Sequence, residues 1–347
     1  MSIIKYQKNP IISISQVKPS RPDFEVVGVF NAGTATMNDE IVLLLRISER
    51  PINTDKTCVL AAVYDKNTDD LITMKFDKSD ENYSFDDSRI ISSGEQTYLT
   101  SISHLRVAKS KNGYDFEIED KPALFPQNEY EAFGIEDPRI TKIDDDYYIT
   151  FASSSYCGVV TELAKTKDFK HFERLGNIFA PDNKDVVIFP DKIGGMHYAL
   201  HRPSTSALGK PEMWIASSPD LVSWGGHKRI AALRDGKFDD GRLGAGAVPI
   251  KTEEGWLEIY HGATKDNCYC LGAMLLDLEE PWKVLKRSDE PLVEPSETYE
   301  KSGFFGNVVF SCGLIQSGDF IKIYYGASDE SIAVVDMKID DILNNLK

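Results

Sequence analysis

The chain has 347 residues, of which 41% are apolar and 10% aromatic, enough for one large domain or two ordinary ones with a sizeable core. Its formal net charge of −16 would repel nucleic acid and anionic membranes, so we expect neither as a partner. No apolar run approaches the ~18 residues of a membrane-spanning helix.

The N-terminal stretch MSIIKYQKNPIIS lacks the long apolar run of a signal peptide. The cysteines are odd in number and scattered, which is typical of reduced thiols; they are Cys58, Cys157, Cys268, Cys270 and Cys312. We therefore expect a cytoplasmic protein. A periplasmic protein that has lost its signal peptide would show the same N-terminus, so that location stays open.

Segments with one shared pattern recur along the chain. In each, an apolar, β-branched or aromatic run alternates with period two and ends in small or polar residues, as β-strands do. The last four begin about 50–65 residues apart, and the first gap is nearly twice that. The segments are EIVLLLRIS (40–48), DYYITFASS (146–154), MHYALHRPS (196–204), GWLEIYHGA (255–263) and DFIKIYYGA (319–327).

A second pattern, a Ser or Thr near a turn followed by an aromatic residue, recurs in AKSKNGYDFEI (108–118), AKTKDFKHFER (164–174) and ASSPDLVSWGG (216–226). Repeated units of four strands predict a β-propeller, in which each blade packs on its neighbours. Only the tail IDDILNNLK reads as a helix. We predict an all-β fold: a five-bladed β-propeller with a short C-terminal helix, forming one catalytic domain over residues 1–347, with insertions in its first half.

Charged residues stand at the ends of the recurring strands, which we place nearest the propeller axis. Charges on such strands cost several kcal/mol if they are buried unpaired, so they should pair or face a wet cavity. A water-filled channel with purely structural ion pairs would explain them as well. These residues are Arg46, His201, Arg202, Glu258, His261 and Asp329.

The stretch FGIEDPRIT (133–141) sets Glu136 beside Asp137. We interpret it as a turn at the mouth of the channel, in which Pro138 restricts Asp137 to an extended conformation and separates the two carboxylates. The alternative is a structural turn, with Asp137 accepting backbone N–H bonds and Arg139 pairing with Glu136.

Ordered blocks along most of the chain resemble glycoside hydrolase family 130, the mannoside phosphorylases and β-1,2-mannosidases built on a five-bladed propeller. Ala32 departs from the pattern, since the family often has Pro there, and affects only the local loop. The matching blocks include VFNAG (29–33), LLLR (43–46), GIEDPRIT (134–141), KDVVIFPDKI (184–193), ALHRP (199–203), GWLEIYHGA (255–263), YEKSGFFGNVVFSCG (299–313) and IYYGASD (323–329).

The resemblance implies roles for individual residues. Asp137 would be the general acid, protonating the leaving oxygen through the 3-hydroxyl of the sugar. Asn31, Arg46, Asp185 and Asp329 match positions that hold the mannosyl unit. Lys184, Arg202 and His261 match positions that bind phosphate in phosphorylases, and Tyr269 matches an aromatic residue near the same pocket. The resemblance implies a β-linked manno-oligosaccharide substrate and no cofactor. We also expect no metal, because CYC (268–270) with His261 has too few ligands for a zinc site.

Two glutamates bear on whether water or phosphate is the attacking group. An inverting hydrolase needs a carboxylate base ~6.5–9.5 Å from the acid, whereas a phosphorylase needs a basic cradle for phosphate. Glu212 and Glu258 are candidate bases, and either would repel a phosphate dianion. The alternative is that neither is a base: Glu212 would then pair with Lys210, and Glu258 would be exposed to solvent on a strand.

We therefore favour an inverting, exo-acting β-1,2-mannosidase that releases mannose from β-1,2-linked manno-oligosaccharides, because PEMWIASSPD (211–220) and WLEIYHGA (256–263) resemble that branch. The alternative is a phosphorylase that produces α-mannose 1-phosphate, with inorganic phosphate as co-substrate. A non-catalytic carbohydrate-binding propeller is a third hypothesis. Whether the protein forms a homo-oligomer stays open.

Overall fold

A computed structural model describes residues 3–204 and 208–347. Strands make up 54% of it and helices 4%. The first strands are β1 (Ile3–Lys5), β2 (Phe24–Met37), β3 (Glu40–Pro51), β4 (Cys58–Asp65), β5 (Asp70–Asp77), β6 (Ile90–Ser92), β7 (Thr97–Leu99), β8 (Ile102–Ser110), β9 (Glu117–Ile118), β10 (Ile135–Ile143), β11 (Asp146–Ser155), β12 (Gly158–Thr166) and β13 (Glu173–Phe179).

The remaining strands are β14 (Asn183–Ile188), β15 (His197–Pro203), β16 (Met213–Ser218), β17 (Gly225–Ala231), β18 (Arg242–Ala245), β19 (Ile250–Lys251), β20 (Trp256–Ala263), β21 (Tyr269–Leu276), β22 (Val284–Arg287), β23 (Val309–Ser317), β24 (Phe320–Ala327) and β25 (Ser331–Lys338). The α-helices are α1 (Thr298–Lys301) and α2 (Ile339–Leu343), and 3₁₀ turns lie at Ile14–Gln16 and Glu129–Glu131.

Antiparallel sheets form the five blades, which confirms the predicted propeller. From the axis outward, blade one is β2-β3-β8-β9, blade two β10-β11-β12-β13 and blade three β14-β15-β16-β17. Blade four is β18-β20-β21-β22, with β19 also paired to β20, and blade five is β23-β24-β25-β1. Strand β1, from the start of the chain, pairs with β25 and so completes the last blade.

An apolar cluster fills the space between each pair of neighbouring blades. Strand β3 shows how the sequence builds them. Val42 and Leu44 pack with Phe151 of blade two, whereas Leu43 and Leu45 pack towards blade five. Both faces of this strand are buried, which explains why the apolar run of β3 is nearly continuous.

The recurring segments are the second strands of their blades, β3, β11, β15, β20 and β24, so their predicted place nearest the axis is wrong. FGIEDPRIT is likewise no turn, because Ile135–Ile143 is the innermost strand of blade two. Bulges and polar residues break the alternation of the innermost strands, which hides them in the sequence. Their pairing shifts between Phe30 and Gly33, Glu136 and Arg139, Lys184 and Val187, and Ser311 and Gly313.

The second sequence pattern marks the turn from the third to the fourth strand of three blades. Ser110, Thr166 and Ser218 each end a third strand. Their hydroxyl oxygens accept the backbone N–H three residues on, at 2.9, 3.0 and 2.8 Å. This local hydrogen bond stabilises the turn and explains why Ser or Thr recurs there.

The predicted insertion comprises residues 52–101, between β3 and β8 of blade one. It carries two hairpins, β4–β5 and β6–β7. The predicted C-terminal helix is confirmed as α2, whose Ile342 is fully buried. None of the helices within residues 3–204 and 208–347 has the length and apolar character needed to cross a membrane. The assignment of residues 1–347 to one domain stays a prediction.

Candidate active site

A cavity of about 260 Å³ is lined by residues of the innermost strands of all five blades, β2, β10, β14, β18 and β23. Residues of β3, β15, β21 and the insertion also line it. Most of the predicted site residues lie in its wall, so the structure brings together positions far apart in the sequence. These are Asn31, Arg46, Asp137, Lys184, Asp185, Arg202, Tyr269 and Asp329.

Three of these side chains stand in the bulges of innermost strands. Asn31, Asp137 and Asp185 have φ values of 50°, 52° and 56°, in the left-handed region that Asn and Asp tolerate better than most residues. A bulge redirects a side chain out of the sheet pattern, here into the cavity wall. The predicted extended conformation of Asp137 is therefore wrong, because the bulge sets its backbone despite Pro138.

Asp137 is held by two donors from blade one. Asn31 Nδ2 and Arg46 Nη1 each donate to Asp137 Oδ1 at 2.9 Å. Arg46 Nη2 also lies 3.0 Å from Glu136 Oε1, so this one guanidinium bridges the two adjacent carboxylates. Burial would raise the pKa of Asp137, but the charges of Arg46, Lys184 and Arg139 outweigh it and hold that pKa below its ordinary value.

Asp185 is the carboxylate on which three basic groups converge. Arg139 Nη2 lies 3.3 Å from Oδ1, and Arg202 Nε and His261 Nε2 lie 2.9 and 3.3 Å from Oδ2. Burial opposes ionisation of Asp185, yet Arg202 and the other partners lower its pKa well below the usual range. His261 itself is fully buried outside the cavity wall, and burial lowers its pKa. It contacts Asp185 and packs on Phe310, with ring centroids 4.2 Å apart.

The cavity wall carries five cations beside four carboxylates, although the chain as a whole is strongly acidic. Two of the cations were missed from the sequence. Arg89, from the insertion, lies 3.8 Å from the centre of the Phe305 ring and pairs with Asp87. Arg242 begins β18, in the stretch GRLGAGAVP (241–249). The cations of the wall are Arg46, Arg89, Lys184, Arg202 and Arg242.

Neither glutamate predicted to be a base lines the cavity. Glu258 is fully buried, its Oε1 accepts the N–H of Gly246 at 2.9 Å, and burial raises its pKa well above the ordinary value. Glu212 pairs with Arg229 at 3.0 Å, rather than with Lys210, and accepts the N–H of Leu233. Both carboxyls have structural partners away from the cavity.

Glu258→Gln and Glu212→Gln should each change the turnover rate by less than about threefold, because neither carboxyl lines the cavity. Loss of a general base would instead lower the rate by ~10²–10⁴-fold. A glutamine at 258 resembles the protonated carboxyl that burial favours there, and its side-chain oxygen can still accept the Gly246 N–H. Initial rates on manno-oligosaccharide, compared at equal folded fraction, test this. A hundredfold loss in either variant would reinstate that glutamate as a base.

His201, predicted at the channel end of its strand, faces elsewhere. The Nδ1 atom of His201 hydrogen-bonds with the side chain of Asn183, and its Nε2 atom lies 3.1 Å from Nδ1 of His227. It also packs on Phe179, with ring centroids 4.8 Å apart. The alternation of β15 explains this, because neighbouring Arg202 points to the cavity and His201 to the opposite side.

Asp329 follows β24 in the cavity wall, with φ of 52°. The pKa of Asp329 is raised to about 6. Burial is the main cause and repulsion from Asp137 adds to it, whereas the positive charge of Arg46 acts in the opposite direction. Because this pKa exceeds that of an unfolded Asp, about 3.9, the ionised group destabilises the fold above pH ~6. The penalty disappears as pH falls towards ~4.

Asp329→Asn should therefore raise the free energy of unfolding at pH 7.5 relative to the unmodified protein, with a difference that shrinks to nothing near pH 4. Urea unfolding at several pH values measures it. A pH-independent difference would show that titration of Asp329 is not its cause.

Comparisons with known proteins identify the family of this chain. A family model described as beta-1,4-mannooligosaccharide phosphorylase, glycoside hydrolase 130, matches residues 96–347. A curated relative from Listeria innocua, "Beta-1,2-mannobiose phosphorylase", is 52% identical over 100% of this chain and 99% of its own. Another, the "1,2-beta-oligomannan phosphorylase" of Thermoanaerobacter sp., is 43% identical over 71% of this chain and 82% of its own.

A solved structure of the Listeria innocua phosphorylase in complex with beta-1,2-mannobiose superposes with a TM-score of 0.97 and covers 99% of both chains. The predicted hydrolase activity, and the predicted likeness to the mannosidase branch on which it rested, are therefore corrected: relatives this similar are named phosphorylases. The predicted family itself is confirmed by the family model and by both relatives. The chain belongs to glycoside hydrolase family 130.

Proposed function

We propose that this protein is a phosphorylase that cleaves β-1,2-linked manno-oligosaccharides such as mannobiose, with inorganic phosphate as co-substrate. One observation carries the proposal: five cations line the cavity, whereas Glu212 and Glu258, the two predicted bases, lie outside it. Phosphate is already nucleophilic and needs charge stabilisation rather than a base. The names of the relatives at 52% and 43% identity support the same reaction and linkage.

The reaction inverts the configuration at the anomeric carbon. A phosphate oxygen attacks C1 of the mannosyl unit from the face opposite the glycosidic bond, and the bond from C1 to the leaving oxygen breaks. Asp137 supplies the proton that the leaving oxygen takes up, through the 3-hydroxyl of the sugar as the family resemblance implies. The products are α-mannose 1-phosphate and a manno-oligosaccharide shortened by one unit, or mannose when the substrate is mannobiose.

The residues around the cavity divide into two groups on this proposal. Hydroxyls of the mannosyl unit would be bound by Asn31 and Arg46, which both bond to Asp137, and by Asp329 in the adjoining wall. Lys184 and Arg202 would bind phosphate, and His261 would hold Asp185 from behind the wall. This separates a sugar side of the cavity from an anion side.

The low pKa of Asp137 has a consequence for the order of events. Without phosphate, the neighbouring cations favour its ionised form, which cannot donate a proton. A phosphate dianion would offset those same cations and raise the pKa of Asp137. Phosphate binding would then favour the protonated form of Asp137, the form that can donate a proton to the leaving oxygen.

A phosphate-consumption assay tests the proposal. The purified protein, incubated with β-1,2-mannobiose and limiting inorganic phosphate, should consume one phosphate for each mannose released and stop when phosphate is exhausted. Mannose release that continues after phosphate is exhausted would overturn it.

A further inference from the structure

A second concave site, a groove of about 510 Å³, lies beside the cavity that holds Asp137. Its wall is formed by the hairpin β6–β7 of the insertion, by the ends of β11 and β12 at their shared turn, and by Phe133 and Asp182. Leu99 lines both the groove and the cavity, so the two are neighbours across this side chain. We call this site the Tyr156 groove, after the aromatic residue at the β11–β12 turn.

Tyr156 presents an aromatic ring to this groove. The residue is 52% exposed, so that much of its surface is open to a ligand. Its ring packs edge-on against Phe133 and Tyr98, with centroids 4.7 and 6.1 Å apart and interplanar angles of 63° and 83°. These two contacts hold the ring in place without covering it. A held, exposed aromatic ring suits a ligand that has both an apolar face and polar groups.

The charge of the groove wall differs from that of the cavity wall. Among the described residues that line the groove are two carboxylates, Glu95 and Asp182, and no Lys or Arg. Asp182 Oδ1 accepts the N–H of Val159 at 2.8 Å, which fixes this carboxylate against the β11–β12 turn. Such a wall repels anions and offers acceptors to hydroxyl groups, so it suits a neutral ligand rich in hydroxyls.

The groove lies on the side of the cavity from which the leaving chain departs. In an inverting reaction the attacking group and the leaving oxygen are on opposite faces of C1, so the leaving chain lies on the side of the acid, Asp137. Asp137 belongs to β10, whose first residue, Ile135, pairs with Ser153 of β11. The next residue of β11, Ser154, lines the groove. A leaving chain longer than one mannosyl unit therefore meets the groove as it extends away from Asp137.

We propose that the Tyr156 groove binds those mannosyl units of a β-1,2-linked oligosaccharide that lie beyond the two joined by the cleaved bond. The Tyr156 ring packs against the apolar face of a sugar ring, and Glu95 and Asp182 accept hydrogen bonds from its hydroxyls. Mannobiose has no such units, so the groove favours longer chains over mannobiose. This inference rests on the proposed phosphorylase activity and adds the residues that set its preference for chain length.

Kinetics of Tyr156→Ala on substrates of two lengths, at saturating phosphate, test the inference. Loss of one aromatic contact should lower kcat/KM for β-1,2-mannotetraose by about 3- to 10-fold. For β-1,2-mannobiose, kcat/KM should stay within about twofold, because mannobiose does not occupy the groove. Tyr156→Phe keeps the ring and should behave as the unmodified protein on both substrates. Tyr130→Ala is the matched control, because Tyr130 is also a partly exposed tyrosine, at 36%, but lies outside the groove.

Calorimetric titration with β-1,2-mannotetraose, in a buffer free of phosphate, gives a readout that does not depend on turnover. It uses protein that carries Asp137→Asn, so that neither phosphate nor water cleaves the ligand during the titration. Adding Tyr156→Ala should weaken mannotetraose binding by the same factor as in the kinetics and leave mannobiose binding unchanged. Adding Glu95→Gln instead should weaken mannotetraose binding by about threefold, through loss of a hydrogen bond to a charged group in contact with water.

Equal changes for both substrate lengths in Tyr156→Ala, or no change for either, would overturn the inference. If Tyr156→Ala does not fold, an unchanged mannotetraose affinity in Glu95→Gln would overturn it as well. A second copy of this chain seated in the groove would also overturn it, and sedimentation would then show an oligomer that Tyr156→Ala dissociates. Failure of the proposed function would look different: the unmodified protein would show no phosphate-dependent turnover, while mannotetraose binding would still depend on Tyr156.

Discussion

Replacing Asp137 with asparagine should lower kcat by about 10²–10⁴-fold, the usual contribution of a general acid. The substitution keeps the size of the side chain, and the oxygen of the new amide can still accept from Asn31 and Arg46, which both donate to Asp137 Oδ1 at 2.9 Å. Glu136 continues to offset the charge of Arg46. The loss should therefore fall on proton transfer rather than on the fold or on sugar binding.

Initial rates at saturating phosphate and β-1,2-mannobiose measure this effect, and calorimetric titration with mannobiose shows whether binding persists. Glu212→Gln is the control, since it also neutralises a carboxylate but one outside the cavity. If Asp137→Asn kept more than about a tenth of the original kcat, Asp137 would not be the acid.

Replacing Asp185 with asparagine should cost about 3–5 kcal/mol of unfolding free energy, because it leaves buried cations without their counter-charge. Asp185 is 2% exposed and contacts Arg139, Arg202 and His261 at once. The oxygen of an amide can still accept hydrogen bonds from these groups, but the amide carries no charge and its NH2 cannot accept. The expected loss is a large share of the roughly 5–15 kcal/mol that stabilises an ordinary domain.

Denaturant unfolding at neutral pH, in a buffer free of phosphate, measures the change. Asp191→Asn is the matched control, because Asp191 pairs with Lys251 at 3.0 Å on the surface, where such pairs contribute about 0–1 kcal/mol. Equal effects of the two substitutions would show that the buried cluster does not depend on the charge of Asp185.

The sequence predicts the blades well, because the second strand of each blade is buried on both faces and keeps its apolar alternation. Strand β3, with Leu43 and Leu45 packed towards blade five and Leu44 towards blade two, is an example. The innermost strands are not predictable in the same way. Their bulges place Asn31, Asp137 and Asp185 in left-handed conformations, and local sequence rules instead favour an extended Asp137 before Pro138.

Within the site, most of the residues implied by the family resemblance lie in one cavity, whereas the two predicted bases, Glu212 and Glu258, lie outside it. Spacing along β20 cannot show that Glu258 is enclosed and bonded to Gly246. Arg89 lies in an insertion outside the recurring pattern, so no repeat identifies it. Within the described residues Arg242 bonds to Tyr269 and Asn267 and forms no ion pair. The sequence cannot show this, because it does not tell which carboxylates of other blades lie near Arg242.

Proton and phosphorus NMR of the purified protein with β-1,2-mannobiose, with and without inorganic phosphate, distinguishes phosphate from water as the attacking group. We expect no cleavage without phosphate. With phosphate, we expect the initial appearance of α-mannose 1-phosphate together with one equivalent of mannose. Release of two equivalents of mannose from each mannobiose without phosphate would contradict this expectation, because water would then be the attacking group.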